Sequence, residues 1–363
     1  MPMGHVSDRW STRIRCQPMA DTMLPDLTVP AGWLPLAFML VMGLAMLAYV
    51  VLDGFDLGVG VLLPLANDEE KDLMIASIGP FWDANETWLV MGVGILLVAF
   101  PLAHGVVLSA LYLPVSLMLI GLTLRGVAFD FRVKARADHK VGWNRAFFAG
   151  SIIAAGSQGY MLGELVFGFE LSLAAALFSL FIGFCLASGY ALLGACWLIG
   201  KTTGALQKKA IDWARRSVAL TATGVAGVSI ATPLLSQSIL EKWFTIENLI
   251  VVWPIPVITI VLFVVLWRSL RRLPVRLAND NEYGVWVPFY TSVGLFMLAF
   301  HGLAYSLFPW LVIDQLTIWD AAAAPASLMV IFVGAAVVLP VVVAYSIFVY
   351  RVFGGKATPL EYY

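Results

Sequence analysis

The sequence predicts an all-α integral membrane protein with nine transmembrane helices, on three observations. The 363-residue chain is 61% hydrophobic and only 12% charged, with a mean hydropathy of +0.88. A soluble domain cannot hide that much apolar surface. The apolar residues fall into runs long enough to cross about 30 Å of hydrocarbon, which takes about 20 residues of helix. Basic residues collect in alternate connections between those runs, as a membrane topology requires. The net charge of -1 says little by itself; its distribution carries the information.

Taken in order, residues 1–33 read as a loose N-terminal tail. Its first 30 residues hold basic side chains but no apolar core, so no cleavable signal peptide is expected. Apolar runs follow at 34–64, 80–102, 106–128, 146–168, 174–199, 216–237, 247–268, 285–309 and 326–351. The first, about 31 residues, would measure about 46 Å at 1.5 Å per residue. That exceeds the bilayer, so its acidic end either emerges or is enclosed by protein. Only the "PLAHG" break at 101–105 divides the second run from the third.

The stretches after odd-numbered runs carry Lys71, then Arg125 to Arg145, then Lys201 to Arg216, then Arg268 to Arg276, with Arg351 and Lys356 beyond the last run. The other side holds Lys242 and the arginines of the N-terminal tail. The positive-inside rule therefore puts the N-terminus outside and the C-terminus in the cytoplasm. Cys185 and Cys196 lie in one apolar run and read as core residues, while Cys16 is in the tail; three cysteines so scattered make no disulfide framework.

Two stretches break the apolar pattern: "VLDGFDLGVGVLLP" at 51–64 and "GPFWDANETWLV" at 79–90. The topology puts both toward the cytoplasm. Asp53 and Asp56 are three apart and share a helix face. Carboxylates that close repel each other in a medium that solvates charge poorly, which favours keeping a proton on one of them. Gly54, Gly58 and Gly60 leave room for another helix backbone to approach. Asp83 and Glu86 repeat the spacing, with Asn85 as a neutral hydrogen-bonding partner and Trp82 and Trp88 on either side. Intramembrane acids are functional by default, and such a set suits a proton relay. The bland alternative is that they cap helices or bond neighbouring spans. For Asp53 that alternative is the stronger one.

"LRGVAFDFR" adds Arg125, Asp130 and Arg132; an arginine there would pair with one of the carboxylates or with an anionic cofactor group, or else anchor the cytoplasmic end, and anchoring is favoured. Glu164, alone in an apolar run, is expected to bond a neighbouring helix. The four histidines, His5, His104, His139 and His301, are too dispersed for a haem held by two of them. His301 reads as a packed, hydrogen-bonded residue. No Walker loop or dinucleotide fingerprint occurs, no metal site is expected, and no nucleic-acid partner.

These residues identify a resemblance. "LDGFDLGVG" followed by "WDANETWLV" closely resembles subunit II of the cytochrome bd-type quinol oxidases, and "FDFR", "FPW", "TIWDAAAAPASL" and "YRVFGGK" extend the match across about residues 34–356. Ala84 departs from the glycine common in that family. The resemblance implies two four-helix bundles, at 34–168 and 169–309, with a ninth, peripheral helix and tail at 310–363. It also implies a multi-pass protein of the bacterial inner membrane, paired with a homologous subunit I. That partner carries a low-spin haem b, a high-spin haem b and haem d, oxidises quinol and reduces oxygen, so this chain would ligate no cofactor. The resemblance leaves room for a quinone or lipid bound in this chain and for a small single-span subunit, and the short loops point to the cyanide-insensitive branch. The acids matching Asp56 and Asp83 would line a proton route, with Glu86 and Asp53 beside them and Asp53 able to substitute in part for Asp56. The competing classes are a proton-coupled transporter, which the off-centre acids and the odd span number disfavour, and a purely structural scaffold.

Overall fold

The computed structural model describes residues 25–358, so most of the N-terminal tail, with Cys16 and His5, lies outside the described residues. The described chain is helical almost throughout. In order come α1 (Pro30–Leu62), α2 (Asp68–Ile78), α3 (Trp82–Ala99), α4 (Pro101–Ala110), α5 (Tyr112–Lys134), α6 (Ala137–Val166) and α7 (Leu173–Lys201). Then follow α8 (Gly204–Leu235), α9 (Gln237–Phe244), α10 (Ile246–Val252), α11 (Pro254–Leu277), α12 (Val287–Leu307) and α13 (Pro325–Val352). Seven of the described helices are long and apolar enough to cross a membrane: α1 with the 3-10 turn that continues it, α5, α7, α8, α11, α12 and α13.

Local chemistry sets the boundaries. Proline opens α1, α4, α11 and α13 at the first helical positions, where the missing N–H would have no intrahelical partner. Asn67 and Glu70 form a reciprocal capping box at α2, with Asp68, Glu69 and Glu70 in its first turn. The helices overrun the apolar runs on their polar sides. Thus α6 starts at Ala137, α8 at Gly204, and α11 continues to Leu277. Arg125 and the arginines from Arg268 to Arg276, expected in connections, are therefore on helices. The expected break at 101–105 is itself helical, because the chain turns at Phe100 and α4 resumes at Pro101. A two-stranded hairpin, Trp310–Val312 with Leu316–Thr317, was not expected in an all-α chain.

At the centre lies α1, which packs against α3, α6 and α7. Its half from Val51 to Gly60 is buried apart from the partly covered Leu52. The crossing with α7 explains one glycine: a Cβ at Gly58 would overlap the Tyr190 carbonyl, and a Cβ at Gly194 would overlap the backbone of Gly58. Only paired glycines let these two backbones touch. Phe55 then stacks on Trp197 of α7, centroids 4.3 Å apart. By contrast, α13 buries little of its length.

Gly58→Ala should therefore lower the thermal stability of the protein in detergent by about 1–3 kcal/mol or more, because the obstacle is backbone that cannot rotate away. Gly142→Ala, on an exposed stretch of α6 with nothing near its Cβ position, should be neutral or stabilising by about 0.4–1 kcal/mol. Equal melting temperatures for the two variants would contradict the close crossing.

Candidate functional site

The two acidic stretches come together. Because α1 packs on α3, Asp53 and Asp56 face Asn85 and Glu86; α5 completes the site with Arg125. Asp53 and Asp56 are fully buried, and Asn85 and Arg125 are 1% exposed. The Arg125 guanidinium donates to Asp53 Oδ1 at 2.6 Å and also to Glu86. It therefore ties α1, α3 and α5 together with one side chain. Removal from water disfavours a lone charge strongly, and pairing is what makes a buried guanidinium tolerable. Arg125 is an internal ion-pair partner and not the cytoplasmic anchor expected of it.

Asp56 sits in a different environment. Asn85 Nδ2 donates to Asp56 Oδ2 at 2.7 Å and to the Leu52 carbonyl at 3.2 Å. Asn85 Oδ1 accepts from the Tyr350 hydroxyl at 3.0 Å. The side chain that bonds Asp56 is neutral, so the two aspartates on one face of α1 have contrasting hydrogen-bond partners. Tyr350, from the far end of the chain, had no signal in the sequence beyond its place at the head of "YRVFGGK".

Exposure grades through the set. Asp83 lies in the first turn of α3 with an exposed side chain, outside the hydrogen-bonded group. It does not face an apolar interior, and it forms no side-chain cap, since the N-cap position is Phe81. One turn deeper, the Glu86 side chain is 27% exposed; Arg125 and Asp53 behind it are at 1% and 0%. Asp130 is also exposed and away from the group. Trp82 packs on Phe129 of α5, centroids 5.0 Å apart. Trp88 is buried. With Leu52, Val343, Ser346, Ile347 and Tyr350 it lines a groove of about 380 Å³ between α1, α3 and α13.

Other polar residues sort themselves elsewhere. Glu164 accepts from Ser179 of α7 at 3.0 Å, bonding a neighbouring helix as expected. His301 is exposed and not packed, its ring nitrogen 2.7 Å from the Met297 carbonyl. His104 on α4, His139 on α6 and His301 on α12 are not buried and lie on separate helices, so this donor set does not fit an axial haem pair. Among the described residues, no three histidine, cysteine, aspartate or glutamate side chains gather as metal ligands would.

Comparison with known proteins adds the following. Residues 34–353 match the family described as cytochrome bd terminal oxidase subunit II. The cytochrome bd ubiquinol oxidase subunit 2 of Bacillus subtilis is 30% identical over 336 residues, covering 86% of this chain and 94% of the relative. The cytochrome bd-I ubiquinol oxidase subunit 2 of Escherichia coli K12 is 27% identical, covering 88% and 94%. A solved chain of the bd oxidase from Geobacillus thermodenitrificans superposes with a TM-score of 0.70 at 19% identity, covering 88% of this chain and 98% of that one; the fold is shared.

Breaking the ion pair should be costly. Arg125→Met leaves Asp53 buried without a counter-charge and should lower stability by about 3–5 kcal/mol. Adding Asp53→Asn and Glu86→Gln to it should recover most of that loss, because all the charges then go together. Thermal melts of the single and triple variants decide this, and a triple variant no more stable than Arg125→Met would contradict a mutually dependent cluster.

Proposed function

This chain belongs to the cytochrome bd terminal oxidase subunit II family, and from that premise we propose that it is the non-haem subunit of a bacterial quinol:oxygen oxidoreductase. It holds the haem-bearing subunit I in place and supplies part of the route by which protons reach the site of oxygen reduction. The haems, in subunit I, supply the electron transfer and oxygen chemistry; the acids of this chain move protons toward them.

One observation carries the proton role: the acids form a series of increasing burial. Asp83 is exposed, Glu86 is partly covered, and Asp53 and Asp56 are fully buried. Two of the carboxylates meet the single guanidinium of Arg125, and the third, Asp56, is bonded by neutral Asn85. An interior that solvates charge poorly cannot hold all of them ionised. Binding and releasing a proton is how such a cluster balances its charge. The outermost acid collects a proton from water, and the inner ones pass it on.

The wider assignment is consistent with these features. Nine crossings result if α3 and α6 span with the seven apolar helices, as two four-helix bundles and a peripheral α13 require. An outside N-terminus and a cytoplasmic C-terminus then put Asp83 at the cytoplasmic surface of the inner membrane. The groove beside Trp88 has the shape and lining to take a lipid acyl chain or the isoprenoid tail of a quinone, and its open side would receive a small single-span subunit.

The test is steady-state oxygen consumption by the purified complex with quinol as donor. Asp83→Asn and Asp56→Asn should each slow turnover by at least about tenfold, the usual loss for an acid–base group, with subunit I still bound and the haem spectrum intact. Normal turnover in both variants would sink the relay. Loss of haem or of subunit I would mark the carboxylates as structural.

A further inference from the structure

The end of the chain reaches the acidic cluster through one hydroxyl, and a buried lysine on another helix holds that end in place. Of the 28 residues of α13 only Leu328 and Val349 are buried, so apolar packing within this chain does little to fix the helix along its axis. Polar contacts fix it at its last turn. Lys201, the final residue of α7, is 3% exposed. Its ammonium donates to the Phe353 carbonyl and, at 2.9 Å, to the Gly355 carbonyl. It also lies over the rings of Phe81 and Trp197, 5.3 and 5.0 Å from their centroids. The Lys201 carbonyl accepts from the Ala357 amide at 2.8 Å, and Lys356 donates to the Thr202 carbonyl at 3.2 Å. Residues 353–357 thus form a strap tied to the end of α7.

A cation belongs at this point. Phe353 is the C-cap of α13, where the last carbonyls lack intrahelical partners and the helix presents its negative end. Carbonyls and ring faces together meet a charge that burial would otherwise make costly. Three residues before Phe353 on α13 stands Tyr350. Phe81, whose ring the Lys201 ammonium overlies, stacks on Tyr350 with centroids 4.5 Å apart. The Tyr350 hydroxyl donates to Asn85 Oδ1, while Asn85 Nδ2 donates to Asp56 Oδ2 and to the Leu52 carbonyl. An amide gives only through its nitrogen and accepts only through its oxygen. Tyr350 therefore fills the one acceptor of Asn85 and leaves its N–H groups for Asp56 and Leu52.

We propose that Lys201 is a positioning residue for the Asp56 site: it clamps the strap at the end of α13 and so holds Tyr350 on Asn85, which in turn bonds Asp56. This rests on the proton-relay reading of the cluster and adds a residue to it from outside the acidic stretches. It also gives "YRVFGGK" a physical meaning. Its tyrosine reaches the site, the carbonyls of Phe353 and Gly355 receive the clamp, and its lysine ties the strap to Thr202.

Two measurements on the intact complex test it. The first is amide hydrogen exchange. Lys201→Met, which keeps the stem and removes the ammonium, should speed exchange across residues 353–357 by about tenfold, the scale of one or two lost hydrogen bonds. Unchanged exchange would overturn the clamp. The second is a double-mutant cycle on quinol-driven oxygen consumption. Lys201→Met should lower kcat by about the same factor as Tyr350→Phe, up to about 100-fold for a misplaced group, with the quinol KM and the haem spectrum unchanged. In the Tyr350→Phe background it should lower kcat no further. An equal factor in both backgrounds would mark Lys201 as a general structural residue and overturn the proposal. Lys201→Arg should restore exchange and kcat, since a guanidinium can also donate to two carbonyls and a cavity of about 670 Å³ beside Lys201, Phe81 and Phe353 gives it room; an arginine variant as impaired as the methionine one would count against the clamp. Lys201→Gln takes the place of Lys201→Met, with the same outcomes, where the latter does not assemble. Failure of the relay reading shows separately, as normal oxygen consumption in Asp56→Asn, and the exchange result then decides the clamp by itself.

Discussion

A single guanidinium buried among helices is the constraint on which this structure turns. Arg125 is 1% exposed and cannot shed its charge, because its side chain does not deprotonate in proteins. It must therefore be met by acids, and those acids come from two other helices. Asp53 on α1 and Glu86 on α3 meet it. Three helices are thus held in one relative position by charge, where apolar packing alone would permit sliding. In a membrane the apolar effect does little to choose among packings, since lipid is as apolar as a leucine face; polar contacts and close backbone crossings choose instead. The Gly58–Gly194 crossing of α1 with α7 supplies the second fixed point.

From these two fixed points the chemistry follows. With α1 pinned on one side by α7 and on the other by Arg125, Asp56 has no freedom to find a charged partner of its own and meets the neutral Asn85. A buried acid hydrogen-bonded by a neutral amide gains less for its charged form than one bonded by a guanidinium. The same three-residue spacing on α1 thus gives one aspartate a charged partner and the other a neutral one. Glu86 and Asp83, one helical turn apart on α3, extend the group outward to water.

Much of the fold was legible because its signals are long. Apolar runs of about 20 residues and the alternation of basic stretches set the helix order from the sequence. Short or mixed signals were not. The helical start of α6, "ADHKVGWNR", reads as a polar connection because it carries few apolar side chains. The hairpin at 310–317 is too short to show an alternation. At the site, residue types were readable and partners were not. The acids stand out in apolar surroundings, but nothing near Arg125 in the sequence says whether it points to water or to Asp53. Asp83 shows the same gap: two residues before Asn85, it lies on the opposite side of α3, so the buried partner of Asp56 is Asn85. Gln158 on α6 and Tyr190 on α7, which bond each other, give no signal in the sequence because a lone polar residue in an apolar run has no visible partner until the helices are assembled.

The claim that this chain delivers protons to oxygen reduction is tested most directly by timing proton uptake itself. The complex, reduced fully with quinol in weakly buffered solution containing a pH indicator, is mixed rapidly with oxygen, and proton uptake is followed alongside haem oxidation. In Asp56→Asn, uptake and the oxidation steps that depend on it should slow together, while the initial reaction with oxygen keeps its wild-type rate. Uptake at the wild-type rate in that variant would contradict the account.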